Sequence, residues 1–241
     1  MTQVKERPIL FSAPMVRAIL EDRKTATRRV VKGFQIPTED TTIPAGDRQR
    51  WSAIGQKDPR YGFCIFGSTE AECAKELEEY APCPYGRRGD RLWVRETWYC
   101  DHFEVMRGPY LKPDDLNIGE ALDDGTLVYA ADGLTPYEAD QPIWKPSIHM
   151  PRWASRILLE ITGVRVERLQ DITEGQAVAE GVRLMRDGSD TWVSREGPGN
   201  LVTPWPTAKE AFSDLWNSIN GPDAWEANPW VWVVEFKRVT P

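Results

Sequence analysis

The sequence has few cysteines, only two histidines and no long apolar run. Four cysteines, spread unevenly between residues 64 and 100, are too few for the disulfide framework of a small secreted protein. No stretch approaches the apolar length that a membrane-spanning helix needs, and residues 1–7 lack the apolar core of a signal peptide. We therefore expect a cytoplasmic protein without a membrane contact.

The scarcity of cysteine and histidine also bears on metal chemistry. The cysteines and the neighbouring His102 contain no Cys-x-x-Cys knuckle, so their spacing does not favour zinc. The sequence also has no glycine-rich phosphate loop, no Ser/His/Asp order and no His-Glu-x-x-His pattern. We expect neither a metal nor an organic cofactor.

Charge limits the class of partner. The 241 residues include 30 basic and 37 acidic side chains, which gives a formal net charge of −7. A protein that holds long nucleic acid non-specifically usually needs a basic face. The balance therefore favours a small, nucleoside-sized substrate or a short segment of RNA, and nothing in the composition indicates a protein partner.

Apolar patterning predicts the regular elements of the chain. Strands are expected at residues 8–12, 27–31, 91–96, 156–166 and 230–236, the fourth broken or bulged at Gly163. Helices are expected at residues 13–22, 70–80, 174–180 and 209–219. The polar, irregular segments 33–86 and 101–150 are interpreted as insertions, with a short strand at residues 127–129 in the second.

The most informative motif is the run Arg-Lys-Thr-Ala-Thr-Arg-Arg at residues 23–29. It follows the first predicted helix and leads into the β-branched pair Val30 and Val31, so backbone geometry restrains its side chains. A lysine on such a turn can lose part of its hydration and act as a base or nucleophile. The two arginines are suited to hold an anion or a carbonyl-rich ring.

This motif resembles the signature of the ASCH domains, which are relatives of the PUA fold. The resemblance extends over about half of the chain, namely residues 8–32, 87–98, 155–182 and 208–238. Residues 146–153 are similar to a run in longer ASCH-type proteins of phages and prophages. The resemblance implies an α+β fold. It also implies a small PUA-like β-barrel with flanking helices, as one domain over residues 1–241 that carries the two insertions.

Within this family, the closest functional parallel is the group of amidohydrolases that act on N4-acetylcytidine. Their catalytic lysine, threonine and glutamate match Lys24, Thr27 and Glu180, and the arginine that closes their signature matches Arg29. One departure lies at Asp22, where the family usually has glycine. Glycine suits a left-handed helix exit better than aspartate does.

The resemblance implies an amidohydrolase that removes the acyl group from N4-acylated cytidine or a related nucleoside. Thr27 would supply the nucleophile and Lys24 the base, while Glu180 orients the lysine or returns the proton. Alternatively, Lys24 and Glu180 activate a water that Thr27 positions. A structural ion pair between Lys24 and Glu180 is the non-catalytic alternative.

Four further residues are candidates for substrate binding, namely Arg28, Arg29, Trp93 and His149. Trp93 is one of eleven tryptophans, which serve either core packing or base stacking. It follows the basic segment 87–91, which either contacts a phosphate or forms a solvated turn. Two other functions stay open at this point: an RNA-binding PUA-like module and an ASCH-type ribonuclease.

Overall fold

The computed structural model describes residues 4–55, 62–108, 110–133, 144–185, 187–195 and 202–240. Helices and strands are both present, which confirms the predicted α+β class. The chain divides into two compact units. Unit 1 contains residues 1–24, 90–160 and 237–241, and unit 2 contains residues 25–89 and 161–236. The segment 101–150 therefore belongs to unit 1 and the segment 33–86 to unit 2.

The elements are named in chain order. The helices are α1 (Ala13–Leu20), α2 (Glu70–Tyr80), α3 (Phe103–Arg107), α4 (Ile118–Asp123), α5 (Glu174–Ala179) and α6 (Ala208–Asn220). The strands are β1 (Glu6–Leu10), β2 (Ala26–Val30), β3 (Thr38–Glu39), β4 (Trp51–Ile54), β5 (Cys64–Gly67), β6 (Arg91–Arg95), β7 (Trp98–Cys100), β8 (Leu127–Tyr129), β9 (Leu158–Arg168), β10 (Arg183–Leu184), β11 (Trp192–Val193) and β12 (Trp230–Val239).

The predicted helices and longer strands are confirmed, with α2 and β8 at the predicted bounds. One prediction is wrong. The segment 33–86 is not irregular, because it contains the antiparallel strands β3, β4 and β5 as well as α2. Strand β9 runs through Gly163 without a break, and the alternative of a bulge there stays a prediction. A side chain at Gly163 would approach the Glu235 carboxylate, so the glycine provides space instead of ending the strand.

In unit 1, β6 lies between β1, to which it is parallel, and the first residues of β9, to which it is antiparallel. Strands β7 and β8 form a separate antiparallel pair. Trp98 in β7 is fully buried, and the rings of Tyr110 and Trp153 meet its indole edge-on. Part of the segment 101–150 thus surrounds a hydrophobic core of its own, together with β7.

In unit 2, β12 lies between β9 and β2. Strands β12 and β2 are antiparallel, and their register pairs Trp232 with Arg29 and Val234 with Thr27. Helices α5 and α6 pack against each other, while α2 packs on β4 and β5.

None of the sheets in the described ranges closes into a barrel. The α+β class is therefore confirmed, but the predicted PUA-like β-barrel is not. Among the helices described, none combines the length and the apolar character that crossing a bilayer requires.

Candidate active site

The turn after α1 fixes the backbone at Lys24. The Asp22 amide donates to the Ile19 carbonyl at 3.0 Å. The amides of Arg23 and Lys24 both donate to the Ala18 carbonyl, at 2.9 and 3.0 Å. This is the hydrogen-bond pattern of a Schellman helix end, whose central residue is left-handed. Asp22 has a φ of 55°, so aspartate adopts the conformation for which the family uses glycine.

Lys24 is the last residue of the first segment of unit 1, and it is only 2% exposed. Its ammonium nitrogen lies 5.7 Å from the centroid of the Phe11 ring, within the range of a cation–π contact. Burial of an ammonium group costs free energy that other interactions must offset. Lysine is therefore an unusual choice at this position.

In unit 2, backbone hydrogen bonds tie the start of β2 to neighbouring elements. The Thr25 amide donates to the Ala179 carbonyl at 2.8 Å, and the Phe236 amide donates to the Thr25 carbonyl at 2.8 Å. Thr27 follows in the strand opposite Val234, and it is 3% exposed. The first residues of β2 thus lie beside the last residue of α5.

Helix α5 carries Glu180 at its C-terminal end. A capping box begins the helix, in which Thr173 accepts from the Gln176 amide and Gln176 accepts from the Thr173 amide. Glu180 caps the other end, where its amide donates to the Gln176 carbonyl at 3.1 Å. The next residue, Gly181, has a φ of 103° and turns the chain away. The Glu180 residue is 3% exposed.

Strand alternation separates the motif side chains of β2. Successive side chains of a strand point to opposite faces, so Thr27 and Arg29 share one face and Arg28 occupies the other. The described contacts bring Arg28 together with Glu180. They do not bring the Thr27 hydroxyl to the Glu180 carboxylate.

Arg28 is a fully enclosed charged side chain of the motif, with 0% of its side chain exposed. Its Nε and Nη2 donate to Oε1 of Glu167 at 3.1 and 2.6 Å. Its Nη1 donates to Oε1 of Glu180 at 3.1 Å. The guanidinium carbon also lies 5.9 Å from the centroid of the Phe212 ring. Arg28 thus joins two carboxylates from different elements of unit 2.

This ion cluster continues along β9 to β12. Arg165 donates to Oε2 of Glu167 at 2.8 Å and also hydrogen-bonds Glu235. Burial alone would lower the pKa of Arg165, but its bonds to these two carboxylates raise it. The cluster is an alternating series in the order Glu180, Arg28, Glu167, Arg165 and Glu235.

The opposite face of β2 carries Arg29 beside Trp232, its cross-strand neighbour. Trp232 is 1% exposed, and its indole N–H has no acceptor among the described residues. Tyr85 is half-buried in the same unit. Burial raises the pKa of its phenol, and the charge of Arg29 partly opposes this effect. The face thus combines a cation, a buried N–H donor and the Thr27 hydroxyl.

Trp93 and His149 belong to unit 1, and the described contacts do not join them. Trp93 is 8% exposed, and the Arg95 guanidinium lies 4.7 Å from its ring centroid. His149 is exposed beside the Tyr110 ring, at 6.2 Å between centroids.

The basic segment before β6 contains both exposed and buried residues. Arg87 and Arg88 are exposed, and Gly89 has the positive φ of 88° that the predicted turn requires. Asp90 is buried in unit 1, where its carboxylate accepts from the Arg7 guanidinium at 2.8 Å. Part of this segment is therefore a structural turn.

The described residues contain no group of three or more histidine, cysteine and acidic side chains that could hold a metal ion. The four cysteines are free thiols, and only Cys64 is exposed.

Comparison with protein-family models, curated proteins and solved structures gives no match for this chain.

The sequence interpretation missed Glu167, Arg165 and Glu235. Arg165 and Glu235 lie in predicted strands and Glu167 directly follows one, but their charges resemble those of a solvent-facing strand edge. The alternation of Arg165 and Glu167, two residues apart in β9, is the one local signal that they share a face. The pairing of Glu167 with Arg28 joins positions 139 residues apart, which no local pattern reveals.

Proposed function

We propose that this chain is an amidohydrolase, built on a variant of the PUA-like fold, that removes the acyl group from N4-acylated cytidine or a related nucleoside. The N4 amide is attached to an electron-poor ring, so its leaving group is better than that of an ordinary amide. This lowers the demand on the catalyst, and a lysine, a hydroxyl and a carboxylate are sufficient groups for the reaction.

The observation that carries the proposal is the burial of all three catalytic candidates. Lys24, Thr27 and Glu180 are 2%, 3% and 3% exposed. Lysine and glutamate are among the residues that are rarely buried, because burial of an ionised group costs free energy. The ion pair with Arg28 offsets part of this cost at Glu180. A function that needs these groups away from bulk water would account for their place in the interior. Burial also means that a substrate reaches them only after neighbouring side chains move.

In the proposed reaction, the Thr27 hydroxyl attacks the amide carbonyl while Lys24 accepts its proton. The C–N bond then breaks, the proton passes to the leaving N4 and the acyl group remains as an ester on Thr27. Water hydrolyses this ester in the second half of the reaction. The roles of Lys24 and of the proton return by Glu180 rest on the resemblance to the ASCH amidohydrolases.

The face of β2 that carries Thr27 supports a nucleoside substrate. Arg29 supplies positive charge for a developing oxyanion or a ring carbonyl. The buried N–H of Trp232 is a donor that a carbonyl oxygen of the pyrimidine ring would match. Net acidity of the whole chain, at −7, disfavours the extended grip on RNA that a binding module would need.

A single set of measurements on the purified protein separates the three candidate functions. We expect it to convert N4-acetylcytidine into cytidine and acetate. A ribonuclease would instead cleave RNA and leave acetylcytidine intact, while a binding module would show salt-dependent affinity for RNA and no turnover. Either of these outcomes would overturn the proposal.

The nucleophile is identified by trapping. If Thr27 attacks, rapid quenching during turnover should leave an acyl group on Thr27 that mass spectrometry detects. Thr27→Val, which removes the hydroxyl but keeps the shape, should then abolish both the adduct and turnover. Turnover within about tenfold of the wild type in Thr27→Val, without an adduct in either protein, would assign the attack to water.

A further inference from the structure

Arg28 lies in the middle of the proposed catalytic motif, but its contacts are those of a residue that holds other protein groups. Its side chain is 0% exposed, and each of its three guanidinium nitrogens donates to a carboxylate of unit 2. Two of those bonds go to Glu167 and the third goes to Glu180. A substrate would have to displace these bonds to reach the guanidinium.

We infer that Arg28 is a positioning residue that holds the Glu180 carboxylate in place for the reaction and does not bind substrate, an inference that rests on the proposed amidohydrolase function. Glu180 is the C-cap residue of α5, and its side chain has several rotamers to choose from. The donors of the planar guanidinium have fixed directions, so with two nitrogens held by Glu167 the third fixes the position of the Glu180 oxygen that it contacts.

Glu167 makes this support rigid. It accepts two of the bonds of Arg28 through one oxygen and a bond from Arg165 through the other. Arg28 is thereby anchored to β9, while the carboxylate that it positions lies at the end of α5. Displacement of a catalytic group by about 1 Å can reduce a rate by about 100-fold, so loss of this anchor should be visible in the rate.

The test measures kcat and KM for N4-acetylcytidine hydrolysis by three variants. For Arg28→Met we expect kcat to fall by about 100-fold with KM within about threefold of the wild type, because positioning is lost and substrate binding is not. Arg28→Lys should recover part of kcat. Glu167→Gln keeps the contact between Arg28 and Glu180 but weakens its anchor, so a kcat loss of about tenfold is expected.

Arg156→Met is the matched control. Arg156 is a partly buried arginine, and it bonds the 1% exposed Glu96 through two nitrogens at 3.0 Å. Arg156→Met removes an arginine from a buried carboxylate, as Arg28→Met does, but in unit 1 and away from the ion cluster of Glu180. We expect lower thermal stability in both variants and a reduced kcat in Arg28→Met alone.

The outcomes are separable. A wild-type protein without turnover refutes the proposed function itself. With wild-type turnover present, a raised KM and an unchanged kcat in Arg28→Met assign Arg28 to substrate binding and overturn the inference. Equal loss of kcat in Arg28→Met and Arg156→Met assigns the effect to stability and overturns it too. If Arg28→Met does not fold, Glu167→Gln decides: an unchanged kcat overturns the inference, and a lower kcat at constant KM supports it.

Discussion

Asp22 shows at the scale of one residue how a residue other than glycine forms the left-handed turn after α1. With a φ of 55°, it lies in a region that costs most residues about 1–2 kcal/mol and glycine almost nothing. Aspartate tolerates this region better than most residues. Its carboxylate also lies 3.2 Å from the Arg238 guanidinium in unit 1, but both side chains are exposed and the pair contributes little.

This geometry predicts the order of stability among substitutions at Asp22. Asp22→Ala should lower the free energy of unfolding, because alanine meets the full steric cost of the left-handed region. Asp22→Gly should be more stable than Asp22→Ala by about 1 kcal/mol. Urea denaturation of the two variants measures the difference. Equal stabilities would mean that position 22 is not left-handed in solution.

Arg28 and Arg29 show which part of the site the sequence could predict. The motif and its likeness to the ASCH signature single out Lys24, Thr27 and Glu180 as candidates; all three are buried, and their catalytic roles stay a prediction. Period-two alternation in a predicted strand would also have placed the two arginines on opposite faces. It could not have identified Glu167 as the partner of Arg28, because that contact depends on how distant strands pair.

At the scale of elements, local signals explain which parts of the fold were predictable. Helices α2, α5 and α6 are each preceded by an N-cap threonine whose side chain accepts a hydrogen bond from a backbone amide of the first turn. These caps are visible in the sequence. Strands β3, β4 and β5 have 2, 4 and 4 residues, and such short segments carry little alternation; the equally short β8 is recognised by its Leu-Val-Tyr run. Their pairing with one another makes them strands.

Packing of α2 against β5 depends on Gly67. A Cβ atom at this position would lie 2.4 Å from the backbone nitrogen of Cys73 and 2.8 Å from the Thr69 carbonyl oxygen. Both obstacles are backbone atoms, so a side chain could fit only if the helix moved. The glycine therefore sets how closely α2 approaches the sheet.

We predict that Gly67→Ala destabilises the protein by about 1–3 kcal/mol through this overpacking. Gly175→Ala, within α5, is the control. A Cβ atom there meets nothing within 4 Å, so alanine should stabilise the helix by about 0.5–1 kcal/mol. Chemical denaturation of both variants measures the two effects. A Gly67→Ala protein as stable as the wild type would contradict the described contact of α2 with β5.

At the scale of the whole molecule, the chain passes between its two units at four places: after Lys24, Gly89, Glu160 and Phe236. Unit 1 takes residues from both ends of the chain. A continuous fragment that contains all of unit 1 must therefore span nearly the full sequence. Amino-acid composition and apolar patterning did not indicate that the two units alternate along the chain, because this arrangement depends on pairing between distant strands.

The four cysteine thiols lie in both units, so their reactivity probes the packing of each unit. Cys73 and Cys83 are buried in unit 2 and Cys100 in unit 1, while Cys64 is exposed. Burial raises the pKa of the Cys73 thiol to about 11, with the carboxylates of Glu76 and Glu70 adding to the effect. At pH 8 this group is therefore a thiol, and the thiolate is the reactive form.

We predict that Ellman's reagent modifies one thiol rapidly in the native protein at pH 8, and all four after denaturation. Cys64→Ser should abolish the rapid phase. Rapid reaction of a second thiol in the native Cys64→Ser protein would show that the core around Cys73, Cys83 or Cys100 is more open than described.

The central claim is that the buried Lys24, Thr27 and Glu180 serve amide hydrolysis, and the release of cytidine from N4-acetylcytidine tests it most directly. The proposal predicts turnover by the wild-type protein and a loss of at least about 100-fold in kcat/KM for folded Lys24→Ala. No release by the wild type, or an unchanged rate in Lys24→Ala, would contradict it.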